Sequence, residues 1–215
     1  MVKEKRFKNR LHAGTLLAQQ LTSYAGSSAV VLALPRGGVP VGLAIAKKLH
    51  LPLDVFLVGK LGMPGHEEYA MGAIAVGGQH IIETALVNEL GISTAVINKI
   101  VQLKSDELLR REKLYRANRS SLNLAGRSVI LVDDGLATGL TVLVALQALK
   151  QVKPEKIVVA VPVAAQDSLQ RIKSAADEVV CLSAPERFHA VGLWYDDFNQ
   201  VNDDEVIRLL DDAAL

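Results

Sequence analysis

Residues 129–141 read VILVDDGLATGLT and place two adjacent carboxylates, Asp133 and Asp134, at the end of four apolar residues. Carboxylates at the end of a greasy strand are costly to desolvate unless hydroxyls or a metal sit against them. After Gly135 and Leu136, Ala137-Thr138-Gly139-Leu140-Thr141 opens an apolar helical run. Backbone N–H groups at a helix N-terminus, with the hydroxyls of Thr138 and Thr141, make a phosphate cradle. Gly139 lets the backbone approach the anion closely. A nucleotide triphosphate loop would need a lysine after the glycine, and here Leu140 follows instead. The stretch therefore reads as a monophosphate cup beside a carboxylate pair, complementary to the phosphate and two neighbouring hydroxyls of a ribose 5-phosphate.

Two more loops have chemistry in them. Residues 32–42, LALPRGGVPVG, bring Arg36, Gly37 and Gly38 between a strand-like and a helix-like run. Bare N–H groups with a guanidinium suit a second polyanion. Residues 58–78, VGKLGMPGHEEYAMGAIAVGG, are rich in glycine and carry Lys60, His66, Glu67 and Glu68, the composition of a mobile flap. Lys60 is a candidate anion contact, and Glu67 or Glu68 a candidate proton donor or acceptor toward a second substrate.

These loops need strands to hold them. Short β-branched runs at 27–35, 51–61, 127–133, 156–164 and 178–184 alternate with helix-period stretches, and 69–78 and 80–83 read as shorter, partly antiparallel strands. A long amphipathic helix is expected over 93–118 with Ser93 as its N-cap. Strands apolar on both faces and separated by helices indicate an α/β fold, an open, mainly parallel five-stranded sheet with helices on both faces. In such sheets ligands sit beyond the carboxyl ends of the strands, where the loops above lie. One domain is expected over 1–215, with a flexible loop at 59–78. A small C-terminal hood is expected at 184–202, followed by an acidic helix at 203–213. The hood gathers Phe188, Trp194, Tyr195 and Phe198 in a chain of only 1 Trp, 4 Tyr and 4 Phe.

Composition narrows the class. With 215 residues, half of them hydrophobic, the chain can bury a substantial core. A net charge of +1 gives no global field for nucleic acid. No apolar run approaches the roughly 18 residues of a membrane span, and no secretory leader is legible. The single cysteine, Cys181, sits in an apolar run and reads as a small buried hydrophobe in a reducing, cytoplasmic setting. Arg110, Arg111, Lys113, Arg116 and Arg119 read as a solvated basic helix face.

The 129–141 stretch resembles the PRPP-binding motif of the type I phosphoribosyltransferases, and the PRGG, LVDDGLATG and VGLWYDDF segments are similar to an uncharacterised predicted branch of that family. The resemblance implies transfer of a 5-phosphoribosyl group from PRPP to a nitrogenous base-like acceptor, with release of pyrophosphate. It implies that Asp133 and Asp134 bind the ribose hydroxyls, directly or through the shell of a Mg2+ ion, and that 137–141 bind the 5-phosphate. Arg36, Gly37, Gly38 and Lys60 would hold the pyrophosphate; Arg36 and Lys60 join the two aspartates as the catalytic set. Phe188, Trp194, Tyr195 and Glu68 would face the acceptor. Gly59 stands where adenine-type members carry a basic residue, Ala137 stands where 6-oxopurine enzymes carry an acid, and Gly135 replaces a branched apolar residue and would loosen its turn. Many relatives form homodimers. The alternative reading is a non-catalytic PRPP-binding regulatory protein.

Overall fold

The computed structural model describes residues 6–116 and 122–213, with the side chains of residues 67 and 68 outside that description. The β-branched runs form the strands β1 (Val30–Ala33), β2 (Leu53–Val55), β6 (Ser128–Val132), β7 (Lys156–Val163) and β8 (Glu178–Ser183). They pair in the order β2-β1-β6-β7-β8, and every pairing is parallel. The expected five-stranded α/β sheet is thus observed. Side chains alternate across it, because successive residues of a strand point to opposite faces. Val30, Leu32, Val129, Leu131 and Val159 meet α5 (Leu140–Gln151) and α6 (Gln166–Lys173) on one face. Val31, Ile130, Val132 and Val158 meet α1 (Arg10–Gln20) and α2 (Gly38–Leu49) on the other. With both faces covered, the strands need to be apolar throughout, as they are.

The strand order reverses direction between β1 and β6. Such a switch point leaves a crevice at the carboxyl edge, since the two crossover connections leave toward opposite sides. The loops after β1 and β6 are the PRGG and DDGLATG segments.

The segment 51–61, expected as one strand, is two. β2 ends at Val55, and after Phe56 and Leu57 the chain enters a second sheet of β3 (Val58–Met63), β4 (His66–Ala75) and β5 (His80–Ile82), antiparallel in that order. The expected flap of 59–78 is therefore a paired hairpin over most of its length, with bulges near Gly62 and a tip at Pro64 and Gly65. Leu61, Met71 and Ile74 are fully buried beside Leu108 and Tyr115 of α4 (Thr94–Arg116). A glycine-rich composition alone did not reveal that apolar anchoring.

Two helices were not legible in the sequence, α1 and the short α3 (Thr84–Glu89). The first is capped by Asn9, whose side chain accepts from His12 N–H. Ser93 caps α4 through a long 3.4 Å bond from Val96 N–H, and α7 (Asp203–Ala213) seats Val206, Leu209 and Leu210 against the α2 and α4 side of the core. The basic face of α4 is partly committed to ion pairs, and Arg110 and Lys113 are exposed. Arg116 reaches Asp54 (2.6 Å) and Glu112 (3.1 Å), and Arg111 reaches Glu107 (3.5 Å). Arg119 lies outside the described residues.

Candidate functional site

β6 delivers Asp133 and Asp134 to the switch-point crevice. The neighbouring strand end is tied to it by Leu34 N–H donating to Val132 O (2.8 Å). Each acid commits one oxygen to the chain. Asp133 Oδ1 accepts from Asp134 N–H (2.8 Å), and Asp134 Oδ2 accepts from Arg10 Nε (2.8 Å). The second oxygens, Asp133 Oδ2 and Asp134 Oδ1, make no bond among the described residues, and no side-chain polar atom is both buried and unpartnered there. Two carboxylate oxygens are thus left for outside hydroxyls or a cation.

Burial, reinforced by the adjacent Asp134 charge, pushes the Asp133 carboxyl well above the ordinary carboxylate range. Burial also raises Asp134, against the lowering pull of the Arg10 guanidinium. A desolvated acid pair with net charge favours a bound cation or hydroxyl donors. Among the described residues no three His, Cys, Asp or Glu side chains gather into a metal cage. The two hard carboxylates nonetheless fit a Mg2+ ion completed by substrate and water. Arg10 already holds Asp134, which makes Asp133 the freer ligand.

The cup follows. Gly139 has φ +72°, a left-handed conformation that a side chain would strain, and it starts α5. Its carbonyl neighbours are held from α6: Ser168 Oγ donates to Ala137 O (2.6 Å) and Arg171 Nη2 to Thr138 O (2.6 Å). The N–H groups of Thr138 and Gly139 donate to nothing among the described residues. Anchored carbonyls with free N–H groups, opening on a helix N-terminus, form an anion cradle. Ala137 and Thr138 are exposed, Leu140 and Thr141 are part-buried, and Gly139 is buried. Ser168 and Arg171 were missed in the sequence because they lie about 30 residues downstream in an ordinary helix.

The PRGG loop packs directly on the acids. Pro35 and Arg36 are joined by a cis peptide bond. A Cβ on Gly37 would collide with Asp134 Oδ2, and one on Gly38 would sit 2.7 Å from Val132 O. Only glycine lets the two loops close to this distance. The Arg36 guanidinium is about a third exposed and rests 3.8 Å from Asp203 Oδ1 at the start of α7. Asp203 also accepts from the Tyr115 hydroxyl, whose pKa burial and that carboxylate push upward.

Gly135 does not loosen its turn, contrary to expectation. The place of its missing Cβ is taken by Val191 of the tail, 2.6 Å away at Cγ1. The hood aromatics also differ from expectation. Trp194 and Tyr195 are 7% and 4% exposed and pack with Phe7, Ala13 and Val163, and Phe188 lies against the same cluster. Their rings pin the tail to the sheet, so Trp194 and Tyr195 present no open face to an acceptor. Tyr195 adds a hydroxyl bond to Asp134 O (2.6 Å). Phe7 N–H donates to Trp194 O (2.8 Å), which binds the chain just before α1 into this layer.

Lys60 is exposed on β3 and touches neither loop. It lines a groove of about 690 Å³ with Lys99, Lys104 and Arg111 between β3 and α4. The stem of Lys104 lies where a Gly59 side chain would begin. The Glu68 side chain lies outside the described residues. Burial raises the Cys181 thiol, which donates to Ser183 O, consistent with a packing role.

The family model described as "Phosphoribosyl transferase domain" matches residues 6–196. Two curated Mycobacterium tuberculosis sequences, from strains CDC 1551 and H37Rv and provisionally named phosphoribosyl transferases, are 43% identical over 209 residues. The alignments cover 97% of this chain and 47% of each relative, so the chain spans about half the length of those proteins. The crystal structure of TT1426 from Thermus thermophilus is similar at 41% identity and a TM-score of 0.81, covering 95% of this chain and 97% of that one. The AQ2163 protein of Aquifex aeolicus shares the fold at 15% identity and a TM-score of 0.52, over 85% and 78% of the two chains. No helix among the described residues is long and apolar enough to cross a membrane.

Proposed function

The chain belongs to the phosphoribosyl transferase domain family, and from that premise we propose that it transfers a 5-phosphoribosyl group from PRPP to a nitrogenous base-like acceptor, releasing pyrophosphate. One observation carries the reading. A carboxylate pair with two oxygens to spare, an anion cradle and an Arg-Gly-Gly loop converge at the sheet's switch point.

In this reading the 5-phosphate lies on the N–H groups and hydroxyls of residues 137–141. The ribose hydroxyls face Asp133 and Asp134, and the pyrophosphate lies on Arg36, Gly37 and Gly38. Mg2+, held by Asp133 with substrate and water, would offset charge between the ribose hydroxyls and the pyrophosphate. The C1–oxygen bond to pyrophosphate breaks as a C1–nitrogen bond forms on the opposite face, and the acceptor's proton leaves to solvent or a base. Positioning and charge stabilisation supply the rate, since the ring develops oxocarbenium character. Arg36, loosely tethered to Asp203, is free to follow charge building on the leaving group. Lys60, mid-strand on β3, would join it only through a movement of the whole β3–β4 hairpin toward the loops, which would also exclude water. Glu68 on that hairpin and Phe188 in the tail are the remaining acceptor-side groups.

The test is a panel of purine, pyrimidine and pyridine acceptors incubated with protein, Mg2+ and PRPP, read as pyrophosphate release. Release with one acceptor class supports the transferase. PRPP binding without release from any acceptor would establish the regulatory alternative, and absence of PRPP binding would remove both.

A further inference from the structure

Resting on the transferase reading, we propose that Arg10 is a positioning residue of the ribose site, acting through Asp134. Arg10 opens α1, outside every motif segment. Its guanidinium nevertheless makes three contacts at the site's edge. Nε donates to Asp134 Oδ2 (2.8 Å), Nη1 donates to Asn199 O (2.8 Å), and Cζ lies 3.8 Å from the Phe198 ring centroid. Its side chain is only 11% exposed, and that of Asp134 is 16% exposed. A cation this covered is fixed by its partners, not by solvent.

Gly37 makes the arrangement directional. Its missing Cβ leaves a slot against Asp134 Oδ2, and Arg10 closes that slot from the other side. The carboxylate is held with Oδ2 committed to Arg10 and Oδ1 without a hydrogen-bond partner among the described residues. Tyr195 fixes the same residue by its backbone, donating to Asp134 O. Three segments remote in sequence therefore meet on one acid: the start of α1, the Arg-Gly-Gly loop and the tail at 195–199. Arg10 contacts no reacting atom in this arrangement. It determines which oxygen of Asp134 is offered to the ribose, and it couples that choice to the seating of the tail.

Calorimetric titration of PRPP with Mg2+ into the wild type, R10A, R10K, D134N and R10A/D134N, with a melting temperature for each, tests the role. Wild-type binding is expected, with R10A weaker by roughly tenfold or more well below its melting range. R10K should recover most of that loss, because an ammonium can still reach Oδ2. The double variant should lose no more than D134N alone, the mark of two residues acting as a unit. Leu149→Ala, a core truncation at the far end of α5, should lower the melting temperature with little change in affinity. Should R10A fail to fold, Arg10→Gln keeps the stem and supplies the same comparison against R10K. Wild-type affinity in R10A, or losses in R10A and D134N that add, would overturn the role alone. A wild type that binds no PRPP would overturn the transferase reading and this role with it.

Discussion

Gly135→Ala tests how the tail is seated on the turn that follows the paired aspartates. The new Cβ would stand 2.6 Å from Val191 Cγ1, 2.9 Å from Val191 Cγ2 and 3.1 Å from Val163 Cγ1. Ordinary contact begins near 3.4 Å, so the Val191 methyls must retreat by several tenths of an ångström. Val191 is stiff at χ1 and begins the short 3-10 turn Val191–Trp194, so it has little room to rotate away. Overpacking of this kind costs about 1–3 kcal/mol. Val191→Ala alone deletes two methyl groups from a part-buried site, at a cost of about 1 kcal/mol. Combined, the two changes remove the clash and partly refill the gap. The double variant should therefore be more stable than the sum of the single losses predicts, with a coupling of about 1–2 kcal/mol. Urea unfolding at fixed m-value reads this directly, and the melting temperature should follow at about 2–4 °C per kcal/mol for a chain of this size. Additive losses would refute the packing argument and the claim that Val191 substitutes for the branched residue at 135.

The remaining predictions concern the acids and the leaving-group loop. Asp133→Asn should lower PRPP affinity at least as much as Asp134→Asn, because Asp133 is the freer carboxylate; titration calorimetry of both would show the order, and a reversed order would contradict the assignment. Burial raises both carboxyls in the free protein, so their contribution to folding is fully present below the unfolded aspartate range and is lost as pH climbs toward the raised folded values. If Mg2+ and PRPP bind the ionised pair as proposed, binding should release protons and tighten with rising pH across that interval; calorimetry in buffers of different ionisation enthalpy would detect the release, and a pH-flat affinity would count against it. Arg36→Ala should reduce pyrophosphate release more than it reduces ribose 5-phosphate binding if its guanidinium takes up the leaving group as proposed. Equal losses in the two assays would remove Arg36 from that role.

Much of the architecture was legible in the local pattern. Strands apolar on both faces, interleaved with 3.6-period runs, require a sheet covered on both sides, and the Asp133–Thr141 segment placed its cradle at a strand's carboxyl end before any coordinates. Helix α7 was equally clear, because its apolar residues recur at helical spacing within an acidic run. The hairpin was harder, since glycine-rich strands anchored by a few buried residues such as Leu61 and Met71 resemble a loop in composition.

What the sequence by itself determined is whatever depends on neighbours within a few residues: the strand and helix periods, the cradle's glycine and hydroxyls, and the adjacency of Asp133 and Asp134. Tertiary structure alone decided the contacts between residues distant in the chain. These include Arg10 on Asp134, the slot opposite Gly37, Val191 in the space beside Gly135, and the burial of Trp194 and Tyr195. The physical reason is that side-chain complementarity across a close-packed interior depends on which surfaces meet. A basic residue near the N-terminus or an aromatic in the tail looks the same in sequence whether it faces water, a ligand or another part of the same chain.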